Sequence, residues 1–279
     1  MVEVVGQTKL RVDGLDKVSG QARFLAGLSL GRTAHVRLLR STRAHAHIRR
    51  LDVCHALSAP GIKAVVTGSD CPDRIGHALK DQYPIARDKV RYWGEPVAAI
   101  VATTTQAAEA ALKLIEVEYE ALPEILHLHD AVGEGAPLTH ENLADYHRDS
   151  GIHPIPDSNV CHHYRLHRGD VDSAFAKARV VVENEYWVPW IAHVQLEPHG
   201  AAALWDGDTF TIWSSSQSPF FIRETVSTLF DLSHSKVRVV IPYVGGGFGG
   251  KSDVTIEPLL AVVARAVPGT RVQFCLLYT

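Results

Sequence analysis

Five of the six residues from Gly245 to Gly250 are glycine, and Lys251 and Ser252 follow directly. Glycine loses more backbone freedom on folding than any other residue. A run this dense therefore predicts a main chain that turns through positive φ or lies close against another group. Successive N–H groups in such a turn form a concave nest for an anion. Before the loop, the β-rich stretch Val237 to Val244 predicts a strand. After it, the apolar spacing from Ile256 to Val267 predicts a helix. The chain thus carries a strand–loop–helix unit whose loop is built to meet a ligand, although the glycines alone do not say which.

The length of 279 residues predicts two domains. A formal net charge of -3 without a basic stripe excludes an electrostatic nucleic-acid binder. No apolar run approaches the roughly 20 residues of a membrane-spanning helix. The start Met-Val-Glu-Val-Val-Gly-Gln lacks the pattern of a signal peptide, so no membrane association and a cytoplasmic location are expected. Cys54, Cys71, Cys161 and Cys275 lack C-x-x-C spacing, so iron–sulfur chemistry would have to sit on a partner. There is no H-E-x-x-H. The cluster Cys161-His162-His163 with His167 reads as solvated strand side chains rather than metal ligands.

Local pattern predicts an α+β fold. Residues 1–125 read as an α/β domain, with strands at His35 to Leu39 and Ile62 to Val66 and a short helix around Val53 to Leu57. The clearest unit is a buried strand at Val97 to Ala102, a helix capped by Thr103 with Gln106, and an alternating strand from Ile115 to Glu120. With its own strand and alanine-packed helix, this domain is expected to fold alone. Residues 126–159 read as a connecting segment. Residues 160–279 read as a second domain. Its helices are at Val171 to Ala178 and Pro219 to Phe230. Its strands are at Val180 to Tyr186, Ala201 to Trp205, Thr209 to Ser214 and Val272 to Tyr278, with a hairpin turn at Asp206-Gly207-Asp208.

Three patterns overlap in the glycine loop. Gly245, Gly250, Lys251 and Ser252 fit the phosphate-binding pattern G-x-x-x-x-G-K-[ST], and strand and helix flank it as that pattern requires. Only 27 residues follow Ser252, however, and they offer one strand without an acidic end. Gly245, Gly247 and Gly250 also fit the dinucleotide pattern G-x-G-x-x-G, but the acid expected about 20 residues on is missing.

The third pattern is a resemblance. The run Gly246-Gly247-Phe248-Gly249-Gly250-Lys251 resembles the loop that embraces the molybdenum pterin in the xanthine dehydrogenase/aldehyde oxidase family. Gly94-Glu95-Pro96 through Glu118-Tyr119-Glu120-Ala121-Leu122-Pro123 resembles that family's hammerhead domain. His193-Val194-Gln195-Leu196-Glu197-Pro198, followed by Trp213-Ser214-Ser215-Ser216-Gln217, resembles the opening of its molybdopterin-binding domain. The three stretches occur in the family's order and cover the chain from about Val12 to Thr279.

The resemblance implies a hammerhead-like domain followed by the first part of a mixed α/β molybdopterin-binding domain. It implies that Gln217, Gly246, Gly247, Phe248, Gly249 and Gly250 bind a molybdenum–molybdopterin cofactor, in plain or dinucleotide form. Gln217 would hydrogen-bond an oxygen ligand or a pterin-side group at the molybdenum, and Phe248 would pack beside the metal, so the two are expected to converge although 31 positions separate them. Read without the resemblance, Gln217 is a turn residue, Phe248 an aromatic plug, Lys251 a solvated charge and Glu197 a strand end.

The implied activity is hydroxylation of an aldehyde or N-heterocycle with water-derived oxygen. Electrons would leave through an iron–sulfur small subunit and an FAD-binding medium subunit. Ser252 stands where xanthine-type members often carry glutamate, which argues against a purine substrate. The family's glutamate base falls in a part that continues past Thr279. No residue of this chain is therefore assigned as catalytic or as a metal ligand, and the chain is expected to need a completing C-terminal portion for activity. A P-loop nucleotide-binding protein and a non-catalytic partner-binding fragment are the rival readings.

Overall fold

The computed structural model describes residues 5–276. Ten strands form two sheets: β1 (Thr33–Arg40), β2 (Ala46–Asp52), β3 (Ile62–Thr67), β4 (Lys89–Val90), β5 (Pro96–Ala102), β6 (Glu116–Ala121), β7 (Gly200–Trp205), β8 (Phe210–Ser214), β9 (Val237–Val240) and β10 (Arg271–Cys275). The larger sheet has the order β3-β5-β1-β10-β7-β8-β9, and the smaller has β4-β2-β6. Mixed pairing with helices packed outside makes the fold α+β, as expected.

β5 shows why its sequence is uniformly apolar. Ala99 and Val101 join a large core with Ile212, Leu260 and Phe274, while Ala98, Ile100 and Ala102 join a second core under the Thr105–Leu112 helix. A strand buried on both faces leaves no position for a polar side chain. The helix places Ala108 and Ala111 against the sheet, and their small side chains permit that close approach. Its cap is Thr104, whose hydroxyl accepts from the Ala107 N–H, one residue later than the expected Thr103. The strand after it, β6, lies in the small sheet and not beside β5, so the predicted strand–helix–strand unit spans two sheets.

The two expected domains share the larger sheet. β1 pairs with β5 on one side and runs parallel to β10 on the other, with Thr33 opposite Arg271 and His35 opposite Gln273. The large core likewise combines Val36, Val66 and Val101 with Ala203, Ile222 and Leu259. Residues between the two parts are tied down at Lys89, whose buried ammonium lies 2.6 Å from the Glu141 carboxylate.

Three expectations are corrected. Val180 to Tyr186 is not a strand. A strand needs a neighbouring backbone to take its N–H and C=O groups, and among the described residues none runs beside it, so Val180, Val182, Tyr186 and Trp187 stay exposed. β9 ends at Val240, four residues early, because Pro242 has no N–H to extend a ladder; Tyr243 instead bridges Phe24. β10 ends at Cys275, and the expected continuation through Leu277 and Tyr278 lies outside the described residues. No helix among the described residues is long and apolar enough to cross a membrane.

Candidate functional site

The glycine loop leaves the edge strand β9 and enters the Ile256–Ala266 helix, as its flanks predicted. Its conformation explains its composition at two positions. Gly246 has φ +96°, a region that side-chain-bearing residues rarely adopt. Gly247 is hemmed in by Gln217, since a Cβ there would lie 2.3 Å from the Gln217 Oε1. Phe248 itself takes φ +54°, and its ring folds back over Gly246 while remaining 73% exposed. A non-glycine residue held there carries strain, which accumulates at ligand-binding positions. Such exposure gives Phe248 no core to fill, which argues against the plug reading.

Gln217 sits between β8 and the Pro219–Leu229 helix and meets the loop as expected. Its Oε1 accepts from the Gly249 N–H at 3.2 Å, and its own N–H donates to the Lys251 carbonyl at 2.9 Å. That orientation leaves the amide NH2 group to donate elsewhere. Gly250 closes a turn on the Gly247 carbonyl at 2.8 Å. The N–H groups of Gly246, Gly247 and Phe248 have no acceptor among the described residues. The six predicted site residues are therefore brought together, with unspent backbone and side-chain donors.

Lys251 departs from the sequence reading. It is fully buried and lies 3.0 Å from the Glu197 Oε2. That carboxylate also accepts from the Gly245 N–H at 2.7 Å. A P-loop lysine must reach phosphates and its serine must open a helix, but here the ammonium is committed to Glu197 and the helix begins only at Ile256. The P-loop reading is not supported.

Sequence reasoning missed a buried polar cluster beneath the loop. Glu257 accepts from the Ser214 Oγ at 2.6 Å and lies 3.0 Å from the His199 Nε2. Ser216 donates from its Oγ to the Lys251 carbonyl at 3.0 Å. Three consecutive buried serines, Ser214 to Ser216, were the available signal, because a hydroxyl removed from water needs a partner. Beside Gly250 a cavity of about 740 Å³ opens between the two parts of the chain, lined by Arg40, Tyr83, Tyr92, His193, His199 and Leu259 among others.

Residues 19–123 match the family described as aldehyde oxidase and xanthine dehydrogenase, a/b hammerhead domain, and residues 152–278 match the molybdopterin cofactor-binding domain. The chain is 34% identical over 258 residues to the nicotinate dehydrogenase large molybdopterin subunit of Eubacterium barkeri, covering 91% of this chain and 57% of that protein. It is 31% identical over 272 residues to the aldehyde oxidoreductase molybdenum-binding subunit of Escherichia coli, covering 95% and 34%. Quinoline 2-oxidoreductase from Pseudomonas putida 86 superimposes with a TM-score of 0.82 at 29% identity, over 98% of this chain and 34% of its own. Carbon monoxide dehydrogenase from Oligotropha carboxidovorans gives 0.83 at 28%, over 97% and 34%. The chain thus spans from about a third to just over half the length of these relatives.

Proposed function

Since the chain belongs to the xanthine dehydrogenase and aldehyde oxidase family of molybdenum-binding large subunits, we propose that it supplies the Gln217 and glycine-loop side of a molybdopterin site in an enzyme that hydroxylates an aldehyde or N-heterocycle. The observation that carries this reading is the meeting of Gln217 with the loop, at Gly247 and at the Gly249 N–H. The residues fit the group. An oxygen-rich cofactor requires donors, and the unpaired N–H groups of Gly246, Gly247 and Phe248, with the free Gln217 NH2, provide them. When bound, molybdopterin supplies the metal-centered redox chemistry and the activated oxygen that the chain lacks.

The chain's own residues bind and orient. Gln217, whose Oε1 is taken by the Gly249 N–H, would turn its NH2 group to the cofactor as a donor. The loop amides would hold the cofactor, and the exposed Phe248 ring would shield it from water. The cavity beside Gly250 is within the size range of small-molecule sites and offers room for a planar substrate. Neither carboxylate near the loop is assigned as the base, since Glu197 is paired with Lys251 and Glu257 is buried with Ser214 and His199; the reading places that base on the completing C-terminal portion. Iron–sulfur and FAD-binding subunits would carry the electrons away, and the pterin would be held in plain or dinucleotide form. Loss of a general base typically costs about 10² to 10⁴ in rate, so this chain alone should reduce no dye with aldehydes or N-heterocycles. In the assembled enzyme, Gln217→Ala should lower turnover at least tenfold with the melting temperature unchanged. Full activity in that variant would refute the assignment.

A further inference from the structure

One carboxylate holds both ends of the glycine loop. Glu197 Oε2 accepts from the Gly245 N–H at 2.7 Å and from the Lys251 ammonium at 3.0 Å. Its Oε1 accepts from the Leu25 N–H at 3.4 Å, and the Glu197 N–H donates to the Gly245 carbonyl at 3.1 Å. Lys251 is fully buried, so its charge has no water to replace Glu197, and removing either partner strands an ion. Lys251 also acts through its main chain: its carbonyl receives the Gln217 N–H at 2.9 Å and the Ser216 hydroxyl at 3.0 Å.

We propose that Glu197 is a positioning residue for the cofactor loop: by pinning Gly245 and Lys251 to one carboxylate, it sets the curvature of the loop between them and, through the Lys251 carbonyl, the placement of Gln217. The inference rests on the site reading above for its functional meaning, but the clamp itself is a property of this chain's residues. A loop with five glycines in six residues has little intrinsic preference for one shape, so an external tie must select it. The ion pair supplies that tie at both ends, and Leu25 anchors the carboxylate to the N-terminal part of the chain.

Amide hydrogen exchange on the full cofactor-free chain tests this through four N–H groups that do not donate to Glu197: Gln217, Gly249, Gly250 and Ser252. In Glu197→Gln these should exchange at least tenfold faster, while core amides of β7 and β8 keep their wild-type rates. Because a stranded lysine could unfold that variant, the paired replacement Glu197→Leu with Lys251→Met removes both charges together; it should fold and show the same local acceleration. Wild-type exchange at the four amides in the paired variant, or acceleration spread equally over β7 and β8, would overturn the clamp. Molybdenum content of the assembled enzyme is the second readout: local acceleration with reduced metal supports clamp and site together, and local acceleration with full metal content supports the clamp while refuting the site reading.

Discussion

Phe248 concentrates the tension between folding and function in one residue. An L-residue in the left-handed region costs roughly 1–2 kcal/mol, and its ring, 73% exposed, recovers little by burial. Phe248→Gly should therefore change stability by less than about 1 kcal/mol, since the relieved strain is partly offset by the entropy glycine loses. Urea midpoints measure that change. Turnover of the assembled enzyme should fall in parallel assays, and a large loss of stability would restore the plug reading. Gly247→Ala is the converse case. Its new methyl would meet the Gln217 Oε1 at 2.3 Å, so the amide must move and turnover should drop at least tenfold with little change in melting. The glycine density and the resemblance made these residues legible. Burial of Lys251 was not legible, because it depends on Glu197, 54 positions earlier, and a lysine after glycines carries no local mark of being inside.

At the scale of elements, legibility followed burial pattern. The Ile256–Ala266 helix and β5 announced themselves because a buried stripe or a doubly buried strand leaves a strong apolar signature. β2, Ala46–Asp52, escaped notice because His47, Arg49 and Arg50 hide its alternation in polar side chains. Val180 to Tyr186 was misread for the opposite reason: it has strand composition without a strand beside it. The segment joining the two parts carries a pH-sensitive contact. Burial, followed by the nearby charges of Arg91 and Lys89, lowers the His140 pKa from 6.5 to about 4, and the ring packs edge-on against Tyr146 at 5.5 Å. A histidine kept neutral by the fold favours the unfolded state once protonation becomes possible there. Its contribution is present above pH 6.5 and is lost as pH falls toward 4. Stability should therefore decline across that window, and His140→Gln should flatten the decline. An unchanged slope in chemical denaturation at stepped pH would contradict the assignment.

For the whole molecule, the shared sheet matters more than the sequence division at residues 125 and 160. β1 is held between β5 and β10, and the large core draws on both parts, so cutting the chain after residue 125 would expose the β10-facing edge of β1 and one face of its sheet. Calorimetry of the full chain should show one cooperative transition, and two well-separated transitions would mean that the parts fold independently. The isolated first 125 residues should melt with lower cooperativity than the sequence alone suggested. Prolines and glycines between residues 126 and 159 suggested the division, but the β1–β10 pairing joins Thr33 to Arg271, a contact without a local signal. The central claim is that the glycine loop and Gln217 form one side of a molybdopterin site. Anomalous diffraction at the molybdenum edge, on crystals of the enzyme assembled around this chain, tests it most directly. The metal peak should lie beside the Gln217 amide and the Phe248 ring, and a peak on the far side of the sheet would contradict the account.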